Sequence, residues 1–309
     1  MTSLPDSGTQ SPPVPRQRDV VLAALVLFAW STSWIGVQLQ LGVVAPEVSI
    51  LWRFLLAGAF MFAWCALRGE TLRGYRARDH LWFAALGLTL FSMNFVLFYH
   101  AGLVLVSGML AVVFALAAPG NVIMQSLALK RPVPWTVALG SVIGVFGVAA
   151  LFAPEILEHG YGHISGLALA VLGTAVFCTG NFISARIQSR GLPLAPATAW
   201  GMAYGALILF VLSLARGLAF EVEWTVSYLG ALVFLALIAS VLAFMTYLSL
   251  LRRIGPARAG YLTVLFPVFA LLISSAYEGY AWTAWSFAGI AFVALGNMLV
   301  LRRRPAAAH

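Results

Sequence analysis

The chain predicts an all-α polytopic membrane protein: ten transmembrane helices arranged as two inverted five-helix repeats, with both termini cytoplasmic. Three observations carry that prediction. Hydrophobic residues fill 62% of the sequence and charged residues 9%, with a mean hydropathy of +0.95, a composition outside that of soluble globular domains. Of the 18 Lys and Arg residues, all but Arg53 and Arg216 lie in six clusters that occupy alternate gaps between apolar stretches. They are Arg16/Arg18, Arg68 to Arg78, Lys130/Arg131, Arg186/Arg190, Arg252 to Arg258 and Arg302 to Arg304. Cytoplasmic loops keep Lys and Arg because basic segments resist translocation. Finally, the chain resembles itself at an offset of 148 residues: Tyr99 falls on Tyr247, Ser92 on Ser240, Ala111 on Ala259 and Pro119 on Pro267. A self-match of this kind marks an internal repeat.

A hydrocarbon core of roughly 30 Å takes about 20 apolar residues per helix. On that measure the spans are 19–39, 46–67, 79–101, 103–128, 133–152, 163–186, 195–215, 226–250, 257–276 and 282–301. Residues 1–18, rich in Pro, Ser and Thr, read as a disordered cytoplasmic tail, and 302–309 as a second tail. The repeats are 19–152 and 153–301. Five spans per repeat is odd, so the second repeat enters the membrane in the opposite sense. Inverted repeats are a construction typical of secondary transporters, with substrate bound near the midplane where the halves meet.

Taken in chain order, the spans offer the following candidates. Span one is too long for a signal-peptide core and carries Trp30, Ser33 and Trp34 near mid-membrane. Span two holds Arg53, the one basic residue well inside a span; it is either an outer-side anchor that snorkels or pairs with Glu47 or Glu278, or the contact for a substrate carboxylate. Span three holds Asn94, Tyr99 and His100. Asn94 on span three and Asn181 on span six, the latter the repeat counterpart of Ser33, are interhelical glue or substrate ligands, since a buried amide needs partners in hydrocarbon. Tyr99 and Tyr247 are gate residues at opposite faces or interfacial anchors. Pro119 and Pro267, near the middles of spans four and nine, each remove a backbone hydrogen bond, giving paired hinges or paired static kinks. Gly140 and Gly144 on span five suit close helix approach, within the bundle or in a dimer. Tyr204 and Trp200 on span seven are further candidates of the aromatic kind.

Several motifs together resemble one family. Pro46-Glu-Val-Ser-Ile-Leu-Trp-Arg53-Phe-Leu-Leu-Ala is similar to the helix-two signature of the EamA-type transporters of the drug/metabolite transporter superfamily. Leu250-Leu-Arg-Arg-Ile-Gly255-Pro-Ala-Arg-Ala259, followed by Leu265-Phe-Pro267-Val-Phe-Ala270 and Glu278, resembles that family's helix-eight-to-nine segment. Ala29-Trp30-Ser31-Thr32-Ser33-Trp34 resembles its opening helix. The likeness covers about 19–301. It implies a substrate-exporting transporter, and within the superfamily the chain looks most like the aromatic amino acid exporters of the YddG type. The family often carries Glu eleven residues after the Pro in both repeats, whereas here Pro267 is followed by Glu278 but Pro119 by Lys130.

What the residues exclude narrows the class. There is no intramembrane Asp pair, no His-Glu-x-x-His motif, no Gly-x-Ser-x-Gly elbow and no phosphate-binding loop, so neither enzyme nor ATP-driven pump is expected, and no cofactor or metal. The net charge of +8 is spread over short loops and implies topology, not nucleic acid. Cys65 and Cys178 both fall within spans, so no disulfide is expected. No acidic residue sits near a span centre, which favours an amino acid or neutral metabolite over a lipophilic cation. The reading is therefore an exporter of small metabolites, amino acids including aromatic ones, in a bacterial inner membrane. Its partners are a small-molecule substrate and the bilayer; purines, sugars or drug-like molecules, and a non-transporting receptor, are the alternatives. Monomer and homodimer stay equally open.

Overall fold

A computed structural model describes residues 17–254 and 261–301. Among these residues it is all helix, with no strand. Nine helices are long and apolar enough to cross a membrane, and a shorter apolar helix, Val264–Glu278, accompanies them. In chain order the helical rods are α1 (Gln17–Gln38), α2 (Pro46–Leu67), α3 (Ala77–Gly102), α4 (Ser107–Ala128), α5 (Trp135–His159), α6 (Tyr161–Ser189), α7 (Leu194–Ala215), α8 (226–254), α9 (Tyr261–Glu278) and α10 (Ala284–Leu301). Residues 1–16 and 302–309, the two tails of the sequence reading, lie outside the described residues, as do Gly255 to Gly260.

One boundary differs from expectation. The sequence reading ended the fifth span at 152 and left a loop to 163, but α5 runs on through Pro154 to His159. The corner falls at Gly160, whose φ of 64° lies in the left-handed region that glycine reaches without strain. Proline at 154 removes only one helical bond and is tolerated there.

The neighbour pattern maps onto itself when the first five rods are exchanged for the second five. Thus α1 packs on α8 and α9 as α6 packs on α3 and α4, and α3 on α7 as α8 on α2; the pairs α2/α7, α4/α9 and α5/α10 join equivalent helices. The α5/α10 pair is antiparallel and glycine-lined. Gly140 lies against Gly296 and Gly147 against Gly289, where an added Cβ on Gly140 or Gly147 would stand 2.6 Å from the facing carbonyl oxygen. Gly144 lies against Gly296 as well. Of the two uses left open for Gly140 and Gly144, the structure shows the one within a chain.

Two rods are not regular. In α3, residues Thr89–Met93 form a π-helical segment, and in α8 the equivalent region Phe234–Leu242 does so over nine residues. Each contains a serine that donates five residues back: Ser92 Oγ to Gly87 O at 3.0 Å and Ser240 Oγ to Leu235 O at 2.8 Å. The side chain thereby stabilises the wide turn that leaves a carbonyl without its ordinary α-helical partner. Because i→i+5 bonding rotates everything after it, and the two segments differ in length, equivalent residues beyond them face different ways.

Pro119 breaks α4 locally: the rod is helical over Ser107–Phe114 and Ala117–Ala128. The carbonyl that residue 119 cannot bond, Ala115 O, accepts from Asn297 Nδ2 on α10 at 3.1 Å, besides a long bond from Ala118 N at 3.3 Å. Asn297 is buried, so a leucine there would leave Ala115 O short of a partner. Asn297→Leu is expected to lower stability by about 1 kcal/mol, read as a drop in melting temperature in detergent. Adding Pro119→Ala, which restores the missing N–H, should recover most of that loss; equal losses in both backgrounds would refute the assignment.

Candidate functional site

Between α1, α2, α3, α4, α6, α8 and α9 lies a cavity of about 290 Å³. Of its 23 lining residues 11 are Phe, Trp or Tyr, so nearly half of them present ring surface. The helices deliver these rings at helical spacing: Trp30 and Trp34 from α1, and Phe91, Phe95 and Phe98 from α3. Trp34 packs edge-on against Phe98 and Phe114, with centroids 5.1 and 5.5 Å apart, an arrangement that fixes the rings and not merely buries them.

The polar groups on the wall are few: Ser33, Arg53, Asn94, Asn121, Asn181 and Ser240. Arg53 is 4% exposed. Its Nε and Nη2 both donate to Ser240 Oγ, at 3.1 and 3.0 Å, and its guanidinium carbon stands 4.4 Å from the Phe95 ring centroid. Nη1 has no hydrogen-bond partner. The Tyr99 hydroxyl donates to Gln40 Oε1 at 2.7 Å, and its oxygen also lies within hydrogen-bonding reach of the guanidinium. Among the described residues Arg53 has no carboxylate partner. Glu47 instead pairs with Arg216 and stands 3.6 Å from His100 Nε2, and Glu278 accepts from Ser107 N (3.0 Å) and Ser107 Oγ. Both pairings that the sequence suggested for Arg53 are thus taken up by other residues at the helix ends. A hydroxyl and a ring face offset only part of the cost of holding a cation at membrane depth.

Ser240 links Arg53 to the fold, since the same hydroxyl donates to Leu235 O inside the π segment. Its equivalent Ser92 has no such cation: the position equivalent to Arg53 is Gly201, where an added Cβ would meet Phe91 and Leu86 at 3.0 and 3.1 Å. The repeat therefore supplies two wide turns but only one positive charge.

Of the residues singled out from sequence, Trp30, Ser33, Trp34, Arg53, Asn94, Asn181 and Tyr247 line this one cavity. Trp30 and Tyr247 touch there, with ring centroids 5.0 Å apart. Tyr99 and Tyr204 do not line it. Tyr99 is fully buried one residue beyond Phe98, on a different face of α3; the longer π segment in α8 is what turns its equivalent, Tyr247, inward. Tyr204 bonds His80 Nδ1 at 3.0 Å beside Trp200, whose indole donates to Leu72 O at 3.1 Å, so both hold the α2–α3 connection. Pro267 lies next to Phe266, which is on the wall, and Phe266 O accepts from Ser31 Oγ at 3.1 Å; Pro119 lies beside Ala117 and Ala118 of the wall. Sequence reasoning missed Asn121, Ser240 and every phenylalanine of the wall. The match of Ser92 with Ser240 was the one available signal for Ser240.

The two ends of the cavity differ. Val37, Arg53, Phe54 and Phe98 are buried, whereas Trp30, Asn121, Asn181 and Tyr247 are half-exposed. Beyond the buried end, Gln38 Nε2 donates to Leu105 O at 2.7 Å, Ser49 bonds the Tyr228 hydroxyl at 2.9 Å, and Glu278 caps α4 through Ser107. These bonds link α1 to the α3–α4 loop, α2 to α8 and α4 to α9 at that end.

The sequence signature of the EamA-like transporter family matches twice, over residues 18–153 and 165–302. The chain belongs to the EamA-like transporter family. It is a multi-pass membrane transporter. An uncharacterized transporter of Archaeoglobus fulgidus is 23% identical over 287 residues, covering 92% of this chain and 99% of the relative. The protein PagO of Salmonella typhimurium is 21% identical, covering 92% and 93%. The uncharacterized inner membrane transporter YedA of Escherichia coli is 26% identical, covering 81% and 79%. A solved crystal structure superposes with a TM-score of 0.66 at 16% identity, covering 92% of this chain and 96% of that one, a likeness of fold. The double match of the family signature falls on the two sets of rods that the neighbour pattern exchanges.

Proposed function

We propose that this EamA-like transporter exports small carboxylate-bearing metabolites, amino acids including aromatic ones, across a bacterial inner membrane by alternating access. The observation that carries the reading is the underbonded Arg53 guanidinium on the wall of an aromatic cavity. A planar fork of donors matches a carboxylate bidentately, and ring walls bind an apolar or aromatic side chain with little demand for one shape. The substrate needs no cofactor.

The transmembrane arrangement follows from the same features. Ten helices form two inverted repeats with both termini cytoplasmic, a reading supported by the basic clusters of the sequence and by the antiparallel contact of the equivalent helices α5 and α10. With that orientation the bonded end, at Gln38, Ser107 and Glu278, is extracytoplasmic, and the half-exposed end faces the cytoplasm, where an exporter loads. Export then breaks the outer bonds while the inner half closes, Pro119 and Pro267 acting as hinges beside the wall.

Counterflow in liposomes holding the purified transporter tests this, with a panel of labelled amino acids, a purine nucleoside and a sugar, each with and without a pH gradient. Exchange of phenylalanine or a neighbour in that class is the expected result. Flux of the nucleoside or sugar with none for any amino acid would overturn the substrate class.

A further inference from the structure

We infer that Asn94 is the residue that distinguishes an α-amino acid from the corresponding acid lacking its amino group, by accepting a hydrogen bond from the substrate ammonium. The inference rests on the carboxylate reading of Arg53 given above and adds the second contact point. Three asparagines line the cavity, and only Asn94 carries a fully buried amide oxygen with no hydrogen bond. Asn181 Nδ2 donates to Asn121 Oδ1 at 3.0 Å, which ties α6 to α4. Asn94 is 3% exposed, and its Oδ1 is buried with no hydrogen-bond partner. A buried amide oxygen left bare is costly, and on the wall of a cavity a ligand's N–H can fill it.

Its place relative to Arg53 completes the argument. Asn94 immediately precedes Phe95, the ring under the Arg53 guanidinium, at the end of the π segment of α3. The wall of one cavity therefore carries an unfilled donor on a cation and an unfilled acceptor on a neutral amide. Their polarities are opposite, as are those of a zwitterion's two ends. A neutral acceptor suits a transporter better than a carboxylate would: it selects the ammonium without binding it so firmly that release becomes slow, and without forming an ion pair with Arg53 in the empty state. Rings on both sides, Phe91 and Phe98, leave the side chain of the ligand in apolar surroundings.

The test uses the purified transporter and three probes: L-phenylalanine, 3-phenylpropionate, which lacks the amino group, and 2-phenylethylamine, which lacks the carboxylate. Wild type should prefer L-phenylalanine to 3-phenylpropionate by tenfold or more. Asn94→Leu should bring that ratio to within about twofold while 3-phenylpropionate binds as before, its binding also showing that the variant is folded. Asn94→Asp should widen the preference for probes bearing an ammonium. An unchanged ratio in Asn94→Leu overturns the role of Asn94. A wild type that binds both carboxylates equally overturns it too, yet leaves the carboxylate reading of Arg53 standing. Should Asn94→Leu not fold, Asn94→Ser, which is smaller and still polar, must show a reduced ratio or the inference fails. Binding of none of the three probes would sink both this inference and the amino acid reading.

Discussion

Arg53→Gln transporter should bind L-phenylalanine roughly 10- to 100-fold more weakly than wild type, the loss expected when a charge-assisted hydrogen-bonded contact of about 1.5–3 kcal/mol is removed. Binding of 2-phenylethylamine, which brings no carboxylate, should change little. Stability separates this role from that of a structural anchor. The guanidinium has a hydroxyl, a ring face and a bare Nη1 as surroundings, with no carboxylate. Replacing a buried charge so poorly matched is neutral or stabilising, so the melting temperature of Arg53→Gln in detergent should stay level or rise. Arg53→Lys keeps the charge but lacks the fork that reaches Ser240 through two nitrogens, and should recover only part of the affinity. Undiminished phenylalanine binding in Arg53→Gln, or a lowered melting temperature with binding intact, would make Arg53 a structural residue.

The largest effect on stability is expected at Gly296. A Cβ there would fall inside contact distance of Gly140 O and stand 2.9 Å from Gly144 N, both backbone atoms of α5. Alanine raises helix propensity by about 1 kcal/mol over glycine, but backbone cannot move aside as a flexible side chain does, and overpacking costs about 1–3 kcal/mol or more. Steric cost should win: Gly296→Ala is expected to lose at least about 2 kcal/mol, with a clear fall in melting temperature. Gly230 in α8 provides the control, since nothing lies within 4 Å of its added Cβ; Gly230→Ala should be neutral or slightly stabilising. Equal behaviour of the two variants would contradict the α5/α10 contact.

The helices were legible because each needs only a local cause. Length and apolar content set the spans, and the predicted limits 46–67 and 195–215 lie within a residue of α2 and α7. The fifth span falls short at 152 because the apolar run thins there, whereas the chain turns only where Gly160 adopts positive φ. Arg53 stood out as an unexplained cation inside a span, and that oddity survives in the structure as its bare Nη1. Which carboxylates it lacked could not be seen in sequence. Glu47 and Glu278 are near enough in the chain's topology, and only packing shows that Arg216 and Ser107 hold them.

The sequence by itself determined the class: an EamA-like, multi-spanning transporter with an internal repeat and a neutral, aromatic interior. Composition, charge order and repeat offset are properties of the chain that survive any packing. The tertiary structure alone decided which equivalent residues still act alike. Tyr99 and Tyr247 share a sequence position, but only Tyr247 meets the cavity, because the π segments before them differ in length and turn the two helices to different faces. It also decided which of the three asparagines has a buried oxygen without a hydrogen bond, and the Asn121–Asn181 bond that pairs the other two joins helices 60 residues apart in sequence. Helical periodicity assumes one pitch, and hydrogen-bond saturation depends on neighbours distant in the chain; neither can be read along a single strand of residues.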